Sequence, residues 1–320
     1  MDSTTPQMTP LETPPPPPPS FTFASYMVPG YALQMLCIAF YGCVLVAVQR
    51  IKNKAQFGSQ FYHLFFFIGS ADLIHAIALL WMCLEHEVIH GDALFEVTYV
   101  CSWLTCSCYL IHIIGNGLMA VNRYSATFTF HTMHFCPKLI GRYFKIIVAI
   151  SAFCSIPAFF RHRNYVYENG DWTYTLSPDW VIKLQRYIII FWMALYMIIA
   201  PTFTIMTRLR CNNFINVSYF HRSDQSLVLF NVLHMIFHFF IFLYELFEVF
   251  QSDNTFIIFI HAHFYIFLFG ATVLNSLFIT CTTTRVRLEL SKVLCQLYKQ
   301  GKGKISGSNN NTIQVVPSRF

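Results

Sequence analysis

Charged residues are scarce in this chain of 320 residues. Lysine, arginine, aspartate and glutamate together make up 11% of it, whereas hydrophobic residues make up 55% and aromatic residues 18%. Soluble domains contain about a quarter charged residues, so this composition excludes an ordinary soluble domain and indicates a membrane protein. The net charge of +6 does not indicate a nucleic-acid partner, because the basic residues are spread over loops beside apolar segments.

Several functional patterns are missing as well. We find no internal repeat of the kind typical of many transporters, and no Ser/His/Asp or glycine-rich phosphate motif in a usable context. Before Tyr26 the sequence has neither a basic residue nor an apolar core, so we expect no cleavable signal peptide there. The missing catalytic and phosphate motifs argue against an enzyme, and we expect no cofactor.

Long apolar segments account for most of the chain. The segments are Tyr26–Gln49, Phe61–Leu84, Thr98–Val121, Tyr143–Phe160, Val181–Thr207, Gln225–Phe250 and Phe256–Cys281. As an α-helix, each is about long enough to cross a hydrocarbon core of about 30 Å. The sequence therefore predicts an all-α membrane protein with a seven-transmembrane helix bundle over residues 26–281, preceded by a proline-rich segment over residues 1–25.

Basic residues fall almost entirely on one side of these seven segments. The first, third and fifth loops and the C-terminal tail carry most of them, and the opposite side keeps only Arg161, Arg163, Lys183 and Arg186. Basic loops stay in the cytoplasm, so the pattern predicts an extracellular N-terminus and a cytoplasmic C-terminus.

The segment after the seventh span has a different pattern. Its apolar residues recur at helical spacing between basic residues, and they are Val286, Leu290, Val293, Leu294 and Leu297. This pattern predicts an amphipathic helix on the membrane surface over residues 282–299. The remainder, residues 300–320, is rich in glycine, serine and asparagine and predicts a disordered cytoplasmic tail.

Asp72 lies near the middle of the second span. A carboxylate at that depth costs several kcal/mol unless it faces the bundle interior and has partners. Asn116 and Asn275 lie at comparable depth in the third and seventh spans and are the candidate partners. Such a polar core either holds the helices together or acts as a switch, and both interpretations remain open.

The third span ends in Asn122-Arg123-Tyr124, which alone indicates only a basic anchor at the membrane boundary. Together with seven spans, Asp72 and the Asn-Ser-Leu-Phe-Ile sequence at 275–279, it resembles a G-protein-coupled receptor. The aromatic-rich spans, short loops and Asn-Arg-Tyr-Ser-Ala sequence at 122–126 resemble more specifically the nematode serpentine chemoreceptors of the Srg superfamily, class V or class gamma.

The resemblance implies a chemosensory receptor with a small-molecule or peptide ligand, a heterotrimeric G-protein partner, and a place in the cell membrane, in sensory neuron cilia. The residues it implies for G-protein coupling are Asn122, Arg123, Tyr124, Arg208, Arg210, Arg222 and Arg285. The chain also departs from the rhodopsin-like pattern. Asn122 replaces the usual acidic residue, Asn275 is not followed by proline, and Ile279 stands where tyrosine is usual.

Candidate ligand-binding residues lie in the outer halves of the spans. Those we single out are Tyr109, Trp192, Glu245 and His261. Aromatic residues of this kind also serve as packing or as an interfacial belt. Glu245 could bind a cationic group or simply reach the membrane surface.

The sequence gives only weak support for a metal site and for a disulfide bond. His234 and His238 have the i, i+4 spacing of a metal-binding pair, but without a third ligand we attribute the spacing to chance and expect no metal site. Cys101 lies where a disulfide to the second outer loop would be natural, but residues 161–180 contain no cysteine. Cys83 is the nearest alternative partner.

Two other functions remain open. A transporter or channel could use Asp72 as an ion or proton site, although such proteins normally show more intramembrane charge. The third interpretation is a seven-span scaffold or trafficking protein.

Overall fold

The computed structural model describes residues 20–21, 27–54, 59–90, 94–128, 137–168, 171–213, 218–250, 255, 259–260 and 263–308. The helices in this part of the chain are α1 (Val28–Lys54), α2 (Ser59–Glu87), α3 (Phe95–Phe128), α4 (Pro137–Cys154), α5 (Asp179–Asn213), α6 (Ser218–Val249), α7 (Phe264–Thr282) and α8 (Thr284–Ser308). The strands are β1 (Ser20–Phe21), β2 (Ile89–His90), β3 (His162–Glu168) and β4 (Asp171–Ser177).

Helices α1 to α7 are each long and apolar enough to cross a membrane. Their outward faces are also apolar, with exposed residues such as Leu36, Phe153 and Ile198. A helix that is apolar on every side suits a lipid environment. The predicted set of seven membrane-crossing helices is therefore confirmed by helix length and composition.

The fourth span ends at Phe160 as predicted, but its last residues are not α-helical, and the seventh span begins later than predicted. Helix α4 stops at Cys154, and a 3₁₀ turn over Ile156–Phe160 follows, because Pro157 has no N–H to continue the helix and its ring crowds the preceding turn. Helix α7 begins at Phe264, well after the predicted start of the seventh span at Phe256.

The all-α prediction omitted two small antiparallel sheets. Strand β1 pairs with β2, and β3 pairs with β4 in a hairpin that runs from His162 opposite Ser177 to Glu168 opposite Asp171. The hairpin occupies the loop between α4 and α5. Cys83 and Cys101, the pair considered for a disulfide near this loop, are not joined by a disulfide.

Helix α3 lies at the centre of the bundle. It packs against α2, α4 and α5, while α6 lies between α5 and α7, and α7 contacts both α1 and α2. In the most apolar stretch of the α3 span, 72% of the residues are buried. Polar side chains on the inner face of α3 are therefore surrounded by other helices.

Helix α8 packs against α1. Val286, Leu290 and Val293 are buried in one apolar cluster with α1 residues such as Tyr41 and Val48. The helix also continues to Ser308, past the predicted end at residue 299. Residues 300–308 are thus helical where the sequence predicts a disordered tail, and residues 309–320 lie outside the described part.

Candidate functional site

The Asp72 carboxylate is fully buried in the bundle and accepts hydrogen bonds from three helices. Its Oδ2 lies 2.6 Å from the hydroxyl of Tyr41 and 2.9 Å from Nδ2 of Asn275, and its Oδ1 lies 2.7 Å from Nδ1 of His112. Because each partner can donate a proton, the cost of removing this carboxylate from water is offset.

Three histidine rings converge next to this carboxylate. His112 comes from α3, and His234 and His238 come from α6. Their Nε2 atoms form a nearly equilateral triangle, with distances of 3.0 Å between His112 and His234, 3.1 Å between His112 and His238, and 3.2 Å between His234 and His238. All three rings are buried, and their nitrogens are close enough together to hold one metal ion. We call these three side chains the histidine triangle.

The outer nitrogen of each ring in the histidine triangle has its own oxygen partner. The Nδ1 contacts are Asp72 with His112 at 2.7 Å, the Tyr196 hydroxyl with His234 at 2.8 Å, and the Tyr109 hydroxyl with His238 at 3.3 Å. Each imidazole is therefore fixed in orientation by a neighbour on a different helix.

Helical periodicity explains how the sequence brings these groups together. Tyr109, His112 and Asn116 are spaced i, i+3, i+7 and lie on one face of α3, and the i, i+4 spacing of His234 and His238 stacks them on one face of α6. Asn116 contacts the histidine triangle rather than Asp72, since its Nδ2 lies 3.5 Å from Nε2 of His234.

A fourth buried histidine lies apart from the triangle's nitrogens. His75 of α2 is fully buried, and its Nδ1 lies 3.1 Å from the hydroxyl of Thr272 on α7. That hydroxyl donates to the Leu268 carbonyl at 2.9 Å, so it accepts a proton from His75. His75 thus belongs to an α2–α7 contact.

The sequence indicates no third metal ligand for the pair His234 and His238. The structure supplies one, His112. The sequence offers one signal for it, which is a histidine on the same face of an apolar helix as Asn116. The other missed contributors, Tyr41 and Tyr196, carry no such signal, because a tyrosine in an aromatic-rich span is common.

The residues expected at the G-protein interface lie near one end of the bundle, which we call the basic end. The Arg123 guanidinium lies 4.6 Å from the ring centroid of Phe61, and the Tyr124 ring lies 5.3 Å from that of Phe203. The remaining coupling residues are half-buried Asn122 and Arg210, exposed Arg208 and Arg285, and Arg222 on α6, whose side chain lies outside the described part.

Among the residues expected to bind a ligand, those that the structure describes contact different groups. Tyr109 contacts the histidine triangle, and Trp192 is half-buried on α5 beside Phe191. Glu245 is buried and lies 3.4 Å from Arg186. His261 lies outside the described residues.

Glu245 has a cationic partner within the protein, the Arg186 guanidinium. Arg186 of α5 also lies 3.2 Å from Glu248, so it bridges two carboxylates of α6. Glu245 is therefore already paired with a protein cation.

The chain matches no protein-family model, and the search of curated proteins finds none that is significantly similar to it.

Proposed function

We propose that this protein is a chemosensory G-protein-coupled receptor of the serpentine type. A small molecule or peptide binds in the outer half of the bundle and shifts it to a state that a heterotrimeric G-protein also binds. The proposal places the N-terminus outside the cell, the basic end in the cytoplasm, and the protein in the membrane of sensory cilia.

The observation that carries the proposal is the polar network inside the bundle. Hydrogen-bonding side chains of α1, α2, α3, α5, α6 and α7 meet around Asp72 and the histidine triangle. A helix that shifts by one or two ångströms must exchange some of these partners, because hydrogen bonds weaken steeply with distance and angle. Such a network favours a small number of discrete helix arrangements, which a receptor requires.

The basic end supports the same proposal. Arg208 and Arg285 are exposed there, and Arg123 lies over a ring of α2. Exposed arginines favour acidic partner surfaces and speed their association. Movement of α3 away from α2 would separate Arg123 from Phe61 and change the surface that a partner helix meets.

The transporter interpretation is less well supported by the contacts of Asp72. Both carboxylate oxygens already have protein donors within 3 Å, and the side chain is fully buried. An ion would have to displace these donors before it could bind.

We expect Arg123→Ala to abolish ligand-dependent signalling while surface expression stays at the wild-type level, because the change removes the cation at the end of α3. The first step is a screen of odorants and peptides in cells that carry a G-protein reporter, and the variant is then tested with the active compounds. Arg142→Ala is the matched control, since Arg142 is an exposed arginine on α4 outside the coupling set.

An Arg123→Ala variant that signals as well as the wild type would contradict the proposal. A ligand-driven current in reconstituted vesicles that contain no G-protein would favour a channel or transporter instead.

A further inference from the structure

We propose that His112, His234 and His238 bind one divalent transition-metal ion through their three Nε2 atoms, and that Zn²⁺ is the best-fitting ion. This proposal goes beyond the receptor function and does not depend on it.

The first argument is a count of protons. A neutral imidazole nitrogen either carries a proton or presents a lone pair. Whichever tautomers are chosen, at least two of the three Nε2 atoms must therefore be in the same state, either both protonated or both with a lone pair. Since all three pairs lie 3.0 to 3.2 Å apart, at least one contact then sets two lone pairs or two N–H groups against each other. Hydrogen bonds therefore leave at least one of the three contacts unfavourable, whereas a cation accepts all three lone pairs.

The outer nitrogens fit the same arrangement. Metal binding at Nε2 requires a proton on Nδ1, and each Nδ1 of the histidine triangle faces an oxygen that can accept it. The Tyr109 hydroxyl donates its own proton to Sδ of Met193 at 3.7 Å, so its lone pairs are free for His238. A carboxylate or other acceptor behind a ligating histidine is the usual second partner at metal sites, and Asp72 has this position behind His112.

The size of the triangle suits a small ion. Its centre lies about 1.8 Å from each Nε2, so an ion at the usual Zn–N distance of about 2.0–2.1 Å would lie about 1 Å out of the plane. In a regular tetrahedral site the nitrogens are about 3.3 Å apart, which requires each ring to move outward by only about 0.1 Å.

The ligand types select the class of ion. Imidazole nitrogens suit Zn²⁺, Cu²⁺, Ni²⁺ and Fe²⁺, whereas Ca²⁺ and Mg²⁺ require oxygen ligands. Asp72 supplies one negative charge that partly offsets the ion.

Asn116 lies beside the histidine triangle and offers it a polar atom. Its Oδ1 is buried and has no hydrogen-bond donor among the described residues, while its Nδ2 lies 3.5 Å from Nε2 of His234. Amide oxygen and nitrogen exchange places when the amide is flipped. In that orientation Oδ1 lies next to the triangle, where it can accept a proton from a water molecule in the fourth coordination position.

The direct test is the metal content and metal environment of the whole protein. The full-length chain is purified in detergent with a tag that contains no histidine, and its metals are measured by plasma mass spectrometry before and after addition of Zn²⁺ followed by desalting. We expect about one Zn²⁺ per chain, and X-ray absorption should show three imidazole nitrogens at about 2.0–2.1 Å.

Two variants make the test specific. His238→Ala removes one ligand and should lower Zn²⁺ affinity at least tenfold, and Asp72→Asn should lower it about 10- to 100-fold by weakening the support of His112. His75→Ala is the matched control, because His75 is also a buried histidine but bonds to Thr272. It should retain one Zn²⁺ per chain.

The wild-type measurement alone can overturn the proposal, even if a variant fails to fold. Wild-type protein that binds no Zn²⁺, or Zn²⁺ with fewer than three imidazole ligands, would contradict it. Full Zn²⁺ binding by folded His238→Ala would place the ion elsewhere and would also contradict it.

Discussion

At the scale of single residues, Gly115 shows how closely α2 and α3 approach. A Cβ atom at this position would lie 2.6 Å from Cγ1 and 2.8 Å from Cδ1 of Ile68, closer than carbon atoms pack. Gly117, two residues further along α3, has more room, because its nearest neighbour would be Cδ2 of Tyr196 at 3.8 Å. Small residues at helix contacts allow this close approach in membrane bundles.

We expect Gly115→Ala to be less stable than Gly117→Ala by about 1–3 kcal/mol, the usual cost of overpacking. Each Gly→Ala change raises helix propensity by the same amount, about 1 kcal/mol. The difference in stability between the two variants therefore reports the contact with Ile68. Thermal unfolding of the two purified variants in one detergent measures it. Equal midpoints would mean that Ile68 moves aside at no cost.

The polar core was partly predictable from single residues. Asp72 stands out in the sequence because a buried carboxylate needs partners, and Asn275 is one of them. The contact of Tyr41 could not be predicted, because it depends on how α1 is rotated about its axis, and a rotation of one residue, about 100°, would point this side chain elsewhere. His112 was missed although it lies one turn before Asn116 on the same face of α3.

At the scale of elements, α8 divides its apolar residues between two environments. Leu290 is 5% exposed and packs in the cluster shared with α1, whereas Leu294 is 46% exposed. Arg50 of α1 also donates a hydrogen bond to Oε1 of Gln296 at 2.9 Å. Helix α8 is therefore attached to α1 by one face, and the face that carries Leu294 is left for other contacts.

We expect Leu290→Ala to destabilise the protein by about 2–5 kcal/mol, because it leaves a cavity against α1. Leu294→Ala is the matched control and should change stability by less than about 0.5 kcal/mol in detergent. Thermal unfolding compares the two. A larger effect from Leu294→Ala would show that the opposite face of α8 is the attached one.

Elements were predictable to different degrees. Long apolar runs predict the seven helices well, since length and composition suffice. The β3–β4 hairpin was missed although the sequence between its strands is Asn169-Gly170, a strong signal for a two-residue turn. The two strands are only seven residues long and contain charged and polar residues, so they lack the long apolar run that marks a membrane span.

At the scale of the whole molecule, the distribution of basic residues predicts on which side of the membrane each loop lies. The hairpin between α4 and α5 would be outside, while Asn216 and Asn310, which head the only Asn-x-Ser/Thr sequences, would be inside. Tyr165 of the hairpin donates a hydrogen bond to Oε1 of Glu85 at 2.9 Å, so the hairpin lies against the end of α2.

We expect Asp171→Thr to become N-glycosylated, because it turns Asn169-Gly170-Asp171 into an acceptor sequence on the outer side. The wild-type protein should carry no N-glycan. Treatment of both proteins from cells with a glycosidase, followed by electrophoresis, detects the change. A glycan on wild-type protein that disappears in Asn216→Gln would reverse the orientation.

The seven spans differ in how much of each is buried, so they should differ in how well they tolerate amino-acid substitutions. In the most apolar stretch of the third span, 72% of residues are buried, compared with 22% in that of the fourth span, which continues past α4 to Phe160. A substitution in α3 thus usually changes a side chain that packs against other helices. A substitution in α4 usually changes a side chain on the lipid-facing surface, where any apolar replacement fits. Natural variants should therefore accumulate in α4 and be purged from α3.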